Sequence, residues 1–343
     1  MLPDTLPIAL EAVSSAMSIT RAVQDRLEAV AGHLKDDRSP VTVADYASQA
    51  IVSMALREGI DDPALQRIVG EEDGADLALP EQAAVLDAVT AAVKSWRPGV
   101  SQADVLRAID ACNHDAAGDC WWTLDPVDGT KGFLRGGQYA IALGLLRNGV
   151  VETGILGCPN LPLDPAMNPA TADRTGCGLL YAAERGRGSW EFRDGDPAST
   201  PMRIRCPEWS SHKAIRCCAS VESHHSNKGQ TSELLARFAN EKVMVRLDSQ
   251  AKYAVLGRGQ ADAYLRLPTR DDYRERIWDH AGGSLVAEEA GAIVTDVRGD
   301  VLDFTQGPRL ERNRGIIAAA AGLHDSLIEG AIALGIGGGA TAT

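Results

Sequence analysis

Asp125 and Asp128 stand three residues apart in the stretch Trp122-Thr123-Leu124-Asp125-Pro126-Val127-Asp128-Gly129-Thr130-Lys131-Gly132-Phe133. Trp121 to Leu124 read as the end of a buried strand, with Asp125 at its close. Pro126 then forces a turn, and Gly129-Thr130 opens a short helical turn. Two carboxylates on such a turn can converge, and the Val127 carbonyl between them can point the same way. Such a set offers only oxygen ligands, which suit a hard cation such as Mg²⁺ rather than zinc. Backbone N–H groups at the helix start, Thr130 among them, would form an anion site beside the metals. A metal pair next to an anion site is what phosphate chemistry requires. The same two aspartates could equally do no more than cap a helix, and a four-residue motif does not decide between them.

Further acids bear on the choice. Val69-Gly70-Glu71-Glu72 ends a short strand, Gln66 to Gly70, and puts Glu71 at a C-terminal sheet edge, where α/β folds bind ligands. Taken alone, an acidic loop is more often just a solvated surface. Asp279, in Trp278-Asp279-His280, opens a helix and so is an N-cap candidate. Asp45 falls in the first turn of a helix expected from about Val43 to Arg57, after a loop from Lys35 to Thr42 that carries Pro40. All of these acids sit at element boundaries, where loops collect. Four carboxylates gathered in one place repel by several kcal/mol unless cations neutralise them. Convergence of Glu71, Asp125, Asp128 and Asp279 would therefore call for two or three divalent ions.

The elements that would position them read as follows. Asp4 to Val30 has helical spacing of Ile8, Val13, Ala16, Ile19, Val23 and Leu27. Helical patterns also cover Glu81–Lys94 and Gln102–Ala111. Strands are expected at Tyr139–Arg147 and Val150–Gly157, joined by the hairpin signal Asn148-Gly149, and again at Leu179–Glu184 and Ser189–Phe192. Pro159 to Gly176 is a loop. From Met202 onward strands and helices alternate: strands at Ala214–Ser220, Val243–Leu247, Ala263–Leu267, Ala292–Asp296 and Gly315–Ala320. Helices are expected at Ser232–Asn240, Ser249–Leu256, Trp278–Ala290 and from Leu323. This alternation argues for an α/β second domain. The expected division is an N-terminal α+β metal-binding catalytic domain over 1–200, a C-terminal α/β nucleotide-binding domain over 201–334, and a flexible, low-complexity tail over 335–343.

The 343 residues are long enough for a large core, and 47 Asp+Glu against 34 Lys+Arg give a net charge of −13. That balance lacks the basic footprint of a nucleic-acid binder, so an anionic ligand must be met by metals or a few placed cations. No apolar run reaches the span of a membrane helix, and the N-terminus lacks a basic segment followed by an apolar block. The expectation is a cytoplasmic monomer. Seven cysteines, with no C-x-x-C pair, read as reduced core thiols.

Taken together, Ser39-Pro40-Val41-Thr42-Val43-Ala44-Asp45, Val69-Gly70-Glu71-Glu72, the Asp125 motif and Trp278-Asp279-His280-Ala281-Gly282 resemble the lithium-sensitive, metal-dependent phosphatase superfamily of inositol monophosphatase and fructose-1,6-bisphosphatase. The resemblance runs from about residue 8 to 330. Trp122 through Gly136, Gly157-Cys158-Pro159-Asn160-Leu161, Asp248-Ser249-Gln250-Ala251-Lys252-Tyr253 and Tyr264-Leu265-Arg266-Leu267-Pro268 narrow it to the 3′(2′),5′-bisphosphate nucleotidase branch. It implies a layered α/β/α/β/α sandwich with the metals at the domain junction. The implied reaction is hydrolysis of the 3′-phosphate of adenosine 3′,5′-bisphosphate to AMP, and of PAPS as well, in sulfur assimilation. Two or three Mg²⁺ ions would be held by Glu71, Asp125, the Val127 carbonyl, Asp128 and Asp279. Asp45 and Thr130 would be the catalytic pair that activates water, with Thr130 and Asp279 also touching substrate.

Relatives use a histidine just before a serine to reach the nucleotide, here His225 in Ser223-His224-His225-Ser226, with His224 a competing choice. Ser249 and Lys252 on a helix start, with Arg266 at a strand end, can bind the distal 5′-phosphate through a helix N-terminus, a point charge and a bidentate fork. Taken alone, Lys252 could be a solvated helix lysine and Arg266 half of a surface salt bridge. The partner expected is a small nucleotide, with no nucleic-acid polymer and no membrane; an inositol phosphate 1-phosphatase is the alternative, and a non-catalytic nucleotide sensor the third reading. Gly137 departs from the family pattern, as does the loop from Leu163 to Gly178.

Overall fold

The computed structural model describes residues 5–30, 39–210, 214–221, 227–238, 241–270 and 272–338. Helices α1 (Leu6–Val30) and α2 (Ser39–Gly59) lie side by side and form the first layer. Helix α2 starts at Ser39, four residues before the expected Val43. Pro40 falls in its first turn, where the missing N–H has no partner to lose. Asp45 is thereby moved into the second turn. Short α3 (Gly74–Leu77), α4 (Ala83–Trp96) and α5 (Gln102–Asp110) complete this side, α5 being closed by a capping box between Ser101 and Asp104.

The first sheet runs β1 (Ile68–Gly70), β2 (Cys120–Asp128), β3 (Ala140–Arg147), β4 (Val150–Cys158), β5 (Leu179–Glu184), β6 (Gly188–Arg193) and β7 (Met202–Arg203), in sequence order across the sheet. Only β1 and β2 are parallel within it. The five-residue α6 (Thr130–Leu134) follows β2 directly. Asn148 and Gly149 both take positive φ, 49° and 76°, the two left-handed residues that a tight hairpin between β3 and β4 needs.

The second sheet contains β8 (Ile215–Ala219), β9 (Lys242–Arg246), β10 (Ala263–Arg266), β11 (Ala292–Thr295) and β12 (Ile316–Ala320), ordered β11-β12-β10-β8-β9. Strands β9, β8 and β10 are parallel, while β12 pairs antiparallel with β10 and β11. Helices α7 (Lys228–Ala236) and α10 (His324–Ala333) cover its outer face, and α8 (Ala251–Gly257) and α9 (Ala281–Glu289) lie between the two sheets. The order of layers is thus α/β/α/β/α, as the resemblance implied.

Helix α9 can seat on the first sheet because both surfaces are stripped to backbone. A Cβ on Gly154 would fall 2.4 Å from the Gly282 carbonyl oxygen, and one on Gly282 would fall 2.8 Å from the Leu143 oxygen. Three apolar clusters follow the layers: one under α1 and α2 around Trp122 and Phe133, one between the sheets around Tyr253 and Leu285, and one beneath α10 around Leu265 and Leu327. Ile336 packs into the third, 3% exposed, so the seating of the chain extends past the expected start of the tail; residues 339–343 lie outside the described residues. Strand β7 still pairs with the first sheet, which puts the change of sheet between Arg203 and Ile215.

Candidate active site

Strand β2 does not end at Asp125. It runs on to Asp128, through Pro126, and its register against β3 slips by one residue: Asp125 faces Ala142 while Asp128 faces Ala140. In a regular strand residues three apart point to opposite faces. The extra residue of the bulge cancels that alternation and lets both carboxylates face one cavity. Pro126 is tolerated because the ladder is already broken there, and its carbonyl accepts the buried Ser48 hydroxyl at 2.9 Å. Gly129 then turns the chain with φ 89° into α6.

A cavity of about 280 Å³ opens at this point, and the chain's distant acids meet in it. Glu71, Asp125, Asp128 and Asp279 all line it, together with Val127 and Thr130. Asp279 precedes α9, which begins at Ala281 rather than Trp278, and no side chain caps that helix; the capping reading of Asp279 is thereby excluded. Asp45 is buried, and its charge bears on Asp125 and Glu71 from beside the cavity.

These acids oppose one another's ionisation. Burial, then Glu71 and Asp128, push the Asp125 carboxyl well above the usual range. Burial, then Glu72 and Glu71, do the same to Asp45. Asp128 is raised to about 6 by burial and Asp279, although Lys252 and the Gln250 N–H act against the rise. Glu71 is raised to about 8 by withdrawal from water, then by Asp279 and Glu72, with open solvent at the cavity mouth screening part of the effect. Asp125 Oδ1 is buried and accepts no hydrogen bond. An orphaned oxygen amid crowded carboxylates calls for a positive partner, and the all-oxygen set fits a hard divalent cation.

The cavity also gathers cations. Lys252 Nζ donates to the carbonyls of Ser249 at 2.6 Å and Leu247 at 3.4 Å and lies 5.2 Å from the Tyr264 ring centroid. It is 5% exposed, so it is no solvated helix lysine. Burial lowers its pKa, with Asp128 and Asp248 opposing. Arg266 is not in a surface salt bridge either: its side chain is 16% exposed, and Nη2 lies 2.6 Å from Glu275 Oε2 and 3.5 Å from Asp279 Oδ2. Glu275, Asp279 and His280 bring ligand atoms within 4.8 Å of one another, but the Arg266 guanidinium already supplies the positive charge there. Burial would raise Glu275, yet Arg266 and His280 outweigh it and hold the carboxyl at about 2.

Ser249 lines the cavity from ahead of α8, not from within it, with φ 70° and its hydroxyl accepting the Ala251 N–H at 3.2 Å. The neighbouring Gln250 N–H donates to Asp128 Oδ2 at 2.5 Å. The approach of this loop to α6 is close: a Cβ on Gly132 would lie 2.1 Å from the Gln138 carbonyl oxygen and 3.0 Å from Asp248 Cβ.

The profile of the inositol monophosphatase family matches residues 3–333. The chain belongs to that family. A 3′(2′),5′-bisphosphate nucleotidase of Schizosaccharomyces pombe is 39% identical over 341 residues, covering 95% of this chain and 94% of that protein. One of Emericella nidulans is 38% identical over 315 residues, covering 86% and 88%. An inositol monophosphatase from Anabaena superposes with a TM-score of 0.58 at 18% identity, covering 96% of this chain and 95% of that one, which bears on the fold alone. As a member of this family the protein is a phosphatase of phosphoric monoesters.

Of the residues singled out in the sequence, the family member brings ten to or beside the cavity; His225 and its rival His224 lie outside the described residues. Sequence reasoning missed Glu275 and Gln250. Gln250 stood in plain view between Ser249 and Lys252, and its side chain ties the start of α8 to α9 and the residues before it: Nε2 donates to the Trp278 carbonyl at 2.8 Å and Oε1 accepts the Gly283 N–H at 3.0 Å. Glu275 carried no signal, since an acid in Asp272-Tyr273-Arg274-Glu275-Arg276 reads as solvated surface. All seven cysteines are free thiols; five are buried as expected, while Cys177 is exposed and Cys206 half-buried. Among the described residues no helix is long and apolar enough to cross a membrane.

Proposed function

We propose that the protein removes the 3′-phosphate of adenosine 3′,5′-bisphosphate to give AMP and phosphate, and that it also accepts PAPS. The observation that supports this reading is one cavity lined both by Glu71, Asp125, Asp128 and Asp279 and by Lys252 and Arg266. The acids suit a cation-assisted attack on one phosphate, while the two basic groups suit a second phosphate that a simple monoester lacks. The S. pombe and E. nidulans relatives are named 3′(2′),5′-bisphosphate nucleotidases, which agrees with a nucleotide carrying two phosphates.

In this reading Glu71, Asp125, the Val127 carbonyl, Asp128 and Asp279 would hold two or three Mg²⁺ ions, which lower the pKa of water and balance charge on the transferring phosphoryl group. Asp45, whose own ionisation is opposed by burial and the neighbouring acids, accepts the Thr130 hydroxyl proton. Thr130 in turn orients the attacking water. The fixed N–H of Gln250 keeps Asp128 from swinging away. Ser249, Lys252 and Arg266 receive the 5′-phosphate with His225, and Asp279 also touches the ribose end. Their value lies in positioning and in preorganised charge. We place the enzyme in the cytoplasm as a monomer, with sensitivity to lithium and a part in sulfur assimilation.

Phosphate release is to be measured with adenosine 3′,5′-bisphosphate, PAPS, inositol phosphates and fructose bisphosphate, in Mg²⁺ and in EDTA. Release from the bisphosphate in Mg²⁺ that stops in EDTA, and falls in millimolar lithium, is the expected outcome. Preference for an inositol phosphate would favour the 1-phosphatase reading, and no release in either condition would favour a nucleotide sensor.

A further inference from the structure

We propose that Glu275 is a positioning residue that holds the Arg266 guanidinium off Asp279 and so keeps that carboxylate open for a divalent cation. The inference rests on the reading of Asp279 as a metal ligand given above. Arg266 Nη2 lies between two carboxylates but not midway: Glu275 Oε2 is 2.6 Å away and Asp279 Oδ2 is 3.5 Å away. At 2.6 Å the contact is a charge-assisted hydrogen bond; at 3.5 Å it is a looser electrostatic approach.

Glu275 is fixed where it stands. It is 6% exposed, its Oε2 lies 3.4 Å from His280 Nε2, and His280 Nδ1 is hydrogen-bonded to the Tyr253 hydroxyl at 2.8 Å. Tyr253 packs edge-on against Tyr264, with ring centroids 5.0 Å apart, from the strand that carries Arg266. The Glu275 backbone carbonyl also accepts the Leu310 N–H at 2.9 Å. The guanidinium is thus pulled toward a rigid anchor and away from the cavity acids. Without a charge at position 275, the sole remaining carboxylate within its reach in this group is Asp279, and an Arg–Asp pair formed there would compete with any cation for the same oxygens.

The test uses Glu275→Gln in the full-length protein, with Mn²⁺ alone as the probe and free Mn²⁺ followed by electron paramagnetic resonance, so that no turnover enters. The Mn²⁺ dissociation constant is expected to rise about 10- to 100-fold, the range usual for loss of an outer partner of a metal ligand. A second change, Arg266→Met in the Glu275→Gln background, removes the competing charge and is expected to bring the constant back toward the wild-type value. A merely structural role for Glu275 would make the double variant bind no better than the single one. That result, or a single variant that binds Mn²⁺ like wild type, overturns the inference. If Glu275→Gln does not fold, Glu275→Asp, one methylene shorter, is expected to raise the constant severalfold, and unchanged binding there overturns it equally. Wild-type protein that binds no Mn²⁺ would instead sink the metal-ligand reading itself.

Discussion

Removing one charge from the acid cluster should change how stability depends on pH, and Asp128 gives the cleanest case. In the metal-free protein its carboxyl is raised from 3.8 to about 6, chiefly by burial and then by Asp279. The unfolded chain ionises this group at its ordinary value. Between the two values the folded state therefore holds more protons than the unfolded one, and stability falls as pH rises. Below 3.8 this group costs nothing; above about 6 the full cost is present. The span is about 2.2 pH units, which at about 1.4 kcal/mol each comes to about 3 kcal/mol. For a chain of this length that is on the order of 5 °C in Tm. Asp128→Asn keeps an oxygen to accept the Gln250 N–H and removes only the charge. Thermal unfolding in EDTA, from about pH 4 to about pH 7, should show the variant gaining on wild type by roughly this amount as pH rises. Added Mg²⁺ should close the gap by stabilising wild type more, and increasingly so at higher pH, because binding displaces protons. Curves that keep a constant separation across that range, or that diverge in the opposite sense, would refute the account of the cluster as mutually repelling acids.

Lys252→Met should raise KM for adenosine 3′,5′-bisphosphate at least tenfold, about the 1.4 kcal/mol of one charge-assisted contact, and raise KM for a simple monophosphate far less; equal effects in steady-state assays would argue against a second-phosphate site. Gly132→Ala places a methyl 2.1 Å from the Gln138 carbonyl and should cost about 1–3 kcal/mol in urea unfolding, with loss of activity, since the Asp248 loop must retreat. Arg21 donates from α1 to the carbonyls of Pro159, Asp173 and Gly176 and to Asn160 Oδ1, so Arg21→Met should free the loop 159–178 and speed its cleavage in limited proteolysis while leaving the Mg²⁺ requirement unchanged.

Much of the fold was legible because its signals are local. Helical spacing set α1, Asn148-Gly149 set the β3–β4 hairpin, and the alternation after Met202 set the second sheet. Helix starts were read less well: α2 begins four residues early at Ser39, and α7 begins at Lys228 rather than Ser232, with Asn227 accepting the Gln230 N–H as its cap. The loop 159–178, which carries no obvious chemistry, is fastened by Arg21 and by Gln138, whose Nε2 donates to the carbonyls of Asn160 and Pro169; bonds across more than twenty residues leave no trace in spacing.

The sequence by itself determined which donors are on offer: carboxylates and one backbone carbonyl of the kind that suits a hard cation, two basic side chains of the kind that suits an anion, and no surplus positive charge for a polymer. Only the tertiary structure decided how those groups act. A one-residue bulge turns Asp125 and Asp128 to the same side, and burial makes their charges repel strongly enough to matter. Arg266 is shared unequally between Glu275 and Asp279, a distinction of less than an ångström. Residue type and order fix which atoms can bind a proton or an ion, but the free energy of doing so depends on distance and on excluded water, and both are products of packing.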